Sequence, residues 1–99
     1  MLPNYRELYV NQQEDEVIFT ENDRHIMIGF RQLLLTLTQN EFIALLQRFE
    51  YITTHPAVWK NGHVKSVMVE MTCPGLQMLF TRQQAERFYS VLLHAYVML

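Results

Sequence analysis

Apolar and polar residues alternate through several short stretches of this chain, and twice the apolar ones switch to helical spacing. Tyr5–Val10 reads as a short strand, and Asn11–Glu16 as a polar, acidic linker with nothing to bury. Val17–Thr20 reads as another short strand, after which Glu21-Asn22-Asp23 supplies side chains that favour a turn. In His25–Phe30, alternation sets Ile26, Ile28 and Phe30 on one face and His25, Met27 and Gly29 on the other. A turn at Arg31-Gln32 leads into Leu33–Leu37, where Leu33, Leu35 and Leu37 share a face opposite Leu34 and Thr36.

Thr38-Gln39-Asn40-Glu41 then has the form of a capping box. The Thr38 hydroxyl accepts the backbone N–H three residues on, and the Glu41 carboxylate reaches back to the Thr38 N–H. Phe42, Leu45, Leu46, Phe49 and Ile52 follow at helical spacing, which predicts an amphipathic helix from Gln39 to about Thr53, stopped by Pro56.

The same plan recurs further on. Val64–Thr72 alternates Val67, Val69 and Met71 against Ser66, Met68 and Glu70. Cys73-Pro74-Gly75 makes a turn, with glycine free to take positive φ, and Leu76–Phe80 returns with Leu76, Met78 and Phe80 inward. Thr81-Arg82-Gln83-Gln84 is a second capping box, and Ala85, Phe88, Tyr89, Leu92, Tyr96 and Leu99 form a second helical stripe. Superposing Thr38 on Thr81 aligns a β-β-α pattern at about 17–54 with another at 64–99, joined by the loop 55–63. The expectation is a single α+β domain over 1–99: an antiparallel sheet of four to six strands, with two helices packed on one face.

That arrangement leaves apolar residues over. His25, Met27, Leu34, Thr36, Met68, Glu70, Gln77 and Leu79 fall on the sheet face away from the helices, and this face is more apolar than a solvated one needs to be. The second helix adds Val91, Leu93, Val97 and Met98 beyond its stripe. Apolar area in excess of the core marks a partner surface, so the expected partner is a second copy or another protein.

Composition narrows the function classes. The chain has 99 residues, 49% of them apolar and 18% charged, enough for one core and unlike a disordered chain. Eight Lys and Arg against ten Asp and Glu give a net charge of −2, a poor footprint for a phosphate backbone unless Arg24, Arg31, Lys60 and Lys65 converge. Cys73 is the only cysteine, which suits a reducing cytoplasm. Met1–Val10 lacks the basic-then-apolar order of a signal peptide, and the uncharged stretch Phe88–Leu99, apart from His94, is shorter than the roughly 20 residues that span a bilayer.

Candidate chemistry is sparse. His55, His63 and Cys73 are spaced too widely for a zinc motif, whose ligands pair two to five residues apart. They read better as surface or partly packed residues. His25 follows Glu21 and Asp23, so a carboxylate would orient its ring for general-base work, though a surface turn gives the same pattern. Cys73 has no cation beside it in sequence to lower its pKa. With only Gly29, Gly62 and Gly75, no phosphate-cradling loop is present, and no cofactor or metal is implied. The loop from His55 to Lys65 holds the only tryptophan, with Lys60, His63 and Lys65 and no acid. Trp59, Lys60 and His63 are therefore candidate contacts for an anionic or aromatic partner, against the alternative that Trp59 tucks under the loop.

The run Ile26–Phe49, in which a strand, a turn and a second strand lead into Leu-Thr-Gln-Asn-Glu-Phe and a helix, resembles the core of an uncharacterised family of small bacterial proteins, whose turn is of a Gly or Phe-Gly type, with a looser echo at Leu79–Phe88. The resemblance implies an α+β fold and a bacterial source, and no activity. Some members of that family carry paired cysteines before the first of these strands. Here that region reads Thr20-Glu21-Asn22-Asp23, so no metal role carries over.

The leading expectation is a non-enzymatic, cytoplasmic interaction or regulatory module acting as a homodimer. Its candidate contacts are Trp59, Lys60, His63, Met27, Leu34, Met68, Leu79, Leu93 and Val97. The alternative is a small enzyme or ligand-binding protein using His25, His55, His63 or Cys73. An enzyme requires a pocket where two or more of these groups converge.

Overall fold

A computed structural model of the chain describes residues 5–21, 24–30, 33–59, 66–71 and 75–99. The fold is α+β. Four strands, β1 (Tyr5–Asn11), β2 (Glu16–Glu21), β3 (His25–Phe30) and β4 (Leu33–Thr38), form an antiparallel meander in the order β1-β2-β3-β4. Helix α1 (Gln39–Thr54) follows β4 directly. Two further strands, β5 (Ser66–Glu70) and β6 (Gln77–Thr81), pair with each other in a separate two-stranded ladder and lead into α2 (Arg82–Val97). Among the described residues the strands are therefore divided four and two, where a single sheet was expected. The order strand, strand, helix recurs, but the likeness of the two halves stops at that order and at the caps. No described helix is long and apolar enough to cross a membrane.

The chain divides into two compact units. One takes in the chain up to Phe42 together with Leu93–Leu99, and the other is Ile43–Leu92. These limits cut through both helices and so differ from the halves suggested by the repeated pattern.

In the first unit, alternation decides which side of each strand is buried. Ile18 and Thr20 of β2, Ile26 and Ile28 of β3, and Leu35 and Leu37 of β4 are buried with Leu8, Phe42 and Ala95. β1 pairs with β2, so the strand expected at Tyr5–Val10 is the edge of this sheet. Its register shifts between Glu7 and Tyr9, leaving Leu8 as the extra residue of a β-bulge. The bulge sets Tyr9 opposite buried Ile18, and its ring meets the His94 ring edge-on at 5.5 Å. Nearby, the Arg6 guanidinium donates to the Met98 carbonyl at 2.9 Å, satisfying an acceptor just past the C-terminal end of α2. The stretch between β1 and β2 is more than a polar spacer. Asn11 caps a short 3₁₀ turn at Gln12–Glu14, Asp15 closes it with φ 52°, and Glu16 is buried.

The second unit is built on aromatics. Phe49 of α1 meets Phe80 of β6 and Phe88 of α2 edge-on, each at 4.9 Å. Leu45, Leu46, Ile52, Val69, Met71, Ala85, Val91 and Leu92 complete its buried set. Arg48 donates to the Glu70 carbonyl, tying α1 to the end of β5. Between β5 and β6, Gly75 takes φ 84°, which an L side chain tolerates poorly; Cys73 and Pro74 lie outside the described residues.

Both capping boxes form. The Glu41 N–H donates to the Thr38 hydroxyl at 3.1 Å and the Thr38 N–H to the Glu41 carboxylate at 2.9 Å. At α2, the Gln84 N–H donates to the Thr81 hydroxyl at 3.1 Å and the Thr81 N–H to the Gln84 amide oxygen at 3.0 Å. The stripe of α2 needs correction. Val91 and Ala95 are buried, whereas Tyr96 and Leu99 are exposed. The inward face is thus set by Ala85, Phe88, Leu92 and Ala95, with Val91 beside them. A small alanine fits a closely packed position that a count of large apolar residues passes over.

Candidate functional site

The outward face of the four-stranded sheet is ordered into rows by the ladder. Val10, Val17, Gly29 and Leu34 are successive cross-strand partners, so one row without a polar side chain runs across all four strands. The next row is Glu7, Phe19, Met27 and Thr36, and the one after it Tyr5, Glu21, His25 and Thr38. Polarity therefore rises from one end of the face to the other. Leu34 is 60% exposed, and Met27, Val17 and Phe19 are half-buried. The Tyr5 ring covers part of Phe19 edge-on at 5.1 Å. A Cβ added at Gly29 would lie 2.9 Å from Val17 Cγ1, so Val17 leans over the glycine and keeps the row low and continuous.

Beside the apolar end, Val10, Asn11, Gln12, Asp15, Glu16 and Val17 line an open depression of about 320 Å³. Its titratable lining is Asp15 and Glu16, and among the described residues no histidine borders it.

Sequence reasoning placed Met27 and Leu34 on this face and missed Val10, Val17 and Phe19. Two-residue alternation through Tyr5–Val10 puts Val10 on the side of Leu8; the bulge at Leu8 turns it over. In β2 both faces are largely apolar, so alternation alone gives no choice between Val17 with Phe19 and Ile18 with Thr20.

In the other unit, Met68 and Leu79 are direct cross-strand partners on the outward side of the β5–β6 ladder, 59% and 63% exposed. Ser66 with Thr81 and Glu70 with Gln77 form the polar ends of that side. On the last turns of α2, Leu93 and Val97 are exposed, Val97 by 74%.

The remaining candidates are scattered. His25 is exposed at the start of β3, opposite Glu21 and Thr38. His55 is exposed past the end of α1, its ring stacked on Tyr51 at 3.9 Å and its Nδ1–H donating to the Tyr51 carbonyl at 2.9 Å. Trp59 is half-buried and donates from Nε1 to the Ile52 carbonyl at 3.0 Å, the tucked placement rather than a free ring. Lys60, His63, Lys65, Cys73 and Arg31 lie outside the described residues. Among the described residues, no group of three or more His, Cys, Asp or Glu side chains comes together as metal ligands would.

Compared with known proteins, the chain matches no family model, no curated protein and no solved structure. The geometry of its own surface therefore carries the functional reading.

Proposed function

We propose that this protein is a small non-enzymatic interaction or regulatory module of the bacterial cytoplasm that acts as a homodimer, with the outward face of the four-stranded sheet as its contact surface. The observation that carries this is the row Val10, Val17, Gly29 and Leu34, an apolar strip across every strand of a sheet whose other side already holds the core. Strips of this kind cost solubility unless something covers them. Met68 with Leu79, and Leu93 with Val97, are secondary contacts on the same ground. Trp59 contributes less than its type suggests, because its N–H is already engaged by Ile52.

Three described cations are already engaged within the chain, while of the four considered for a phosphate backbone Arg24 is exposed and Arg31, Lys60 and Lys65 lie outside the described residues. Arg6 and Arg48 are committed to backbone carbonyls, and Arg82 pairs with Glu86 at 3.2 Å. A phosphate-binding groove needs its cations free and clustered.

The test is solution mass by size-exclusion chromatography with light scattering over a wide concentration range. The expected result is a rise from 11.9 kDa towards twice that value, and a return to 11.9 kDa in Leu34→Asp. A mass of 11.9 kDa at every concentration would overturn the reading.

A further inference from the structure

The two edges of the four-stranded sheet are finished differently. β1 carries the charged pair Arg6 and Glu7, is broken by the bulge at Leu8, and has Arg6 drawn to the Met98 carbonyl. Charges and bulges are what make an edge strand a poor template for further pairing. β4 has neither. Its sequence, Leu33-Leu34-Leu35-Thr36-Leu37-Thr38, contains no charge and no proline, and its ladder with β3 runs unbroken over all six residues. Among the described residues no strand pairs with its other side, and Leu34, Thr36 and Thr38 are exposed.

We propose that the free edge of β4 pairs antiparallel with β4 of a second copy, joining two four-stranded sheets into one of eight. This rests on the self-association proposed above but moves its seam from the sheet face to the β4 edge, which leaves that face open to a further contact. A second copy fits this edge because the strand is complementary to itself. Cross-strand partners must share a face, so a twofold antiparallel pairing sets residues of like parity opposite each other. Leu35 and Leu37 then meet only leucines of the core side, and Leu34, Thr36 and Thr38 meet one another on the open side. No charge is left to be matched. A strand of six residues spans about 20 Å, and edge pairing alone buries less than the roughly 800 Å² per partner of a stable complex. Pairing is therefore concentration-dependent, and the outward faces of the two sheets become one wider apolar surface.

The experiment is amide hydrogen exchange followed along the chain at low and high protein concentration, with light scattering on the same samples. The outward-pointing amides of β4, every second one and leaving out Thr38, whose N–H is held by Glu41, are expected to exchange at least tenfold more slowly at high concentration, with β1 unchanged. Thr36→Lys, an exposed substitution, is expected to shift the monomer–dimer midpoint at least tenfold to higher concentration. A dimer whose β4 amides exchange at the same rate at both concentrations overturns edge pairing and leaves self-association standing. A mass of 11.9 kDa throughout overturns both.

Discussion

Two hairpins in this chain, β3–β4 and β5–β6, each run straight into a capped helix, yet they are held in different ways. β3–β4 is half of a four-stranded meander, so β3 has a strand on either side. β5–β6 is a ladder of two, and a two-stranded hairpin is marginal in water unless its inner side packs on something. Here Val69, Met71 and Phe80 do that, with Phe80 against Phe49 and Phe88. The same local pattern is thus supported by backbone pairing in one place and by an aromatic core in the other. A cap and an alternating strand pair form a module whose stability is decided elsewhere.

The largest test of that contrast is Phe80→Ala. It should cost about 3–5 kcal/mol, since it removes a buried ring and two aromatic contacts from the core on which the second hairpin packs. Urea denaturation would measure it, and near-wild-type stability would mean that β5–β6 does not depend on this core. For the first hairpin, the corresponding weak point is space rather than support. Gly29→Ala forces a methyl against Val17 Cγ1 at 2.9 Å and should cost about 1–3 kcal/mol. Adding Val17→Ala should recover part of that loss, and a double-mutant cycle with no coupling would show that the close approach is not the cause.

The caps are where the two passages should behave alike. Thr38→Ala and Thr81→Ala should each cost about 1 kcal/mol, within error of each other, by thermal or chemical melting. Their one difference is the returning side chain, a carboxylate at Glu41 and an amide at Gln84. Gln84→Glu should add about 0.3 kcal/mol at low salt by placing a negative charge at the start of α2, and the gain should fade at high salt.

Legibility followed the range of the interaction. The capping boxes, α1 with Phe42, Leu45, Leu46, Phe49 and Ile52 inward, and the faces of β3 and β4 were all readable, because each depends on residues within a turn or two of one another. Of the candidate contact face, Met27 and Leu34 were readable for the same reason. Val10 was not, since its side depends on one unpaired residue, Leu8, whose bulge exists only against β2. Val91 and Ala95 were misjudged because helical spacing marks a sector of α2 without saying how closely its neighbours approach.

By itself, the sequence determined the elements, their order, their caps and the class of fold, all consequences of backbone sterics and short-range periodicity. Tertiary contacts settled that the described strands divide four and two, that Trp59 gives its N–H to Ile52, and that Val10, Val17, Gly29 and Leu34 line up as one row. Those outcomes depend on register and on which strand finds which partner. They are set by contacts between residues far apart in the chain, where no local pattern reaches.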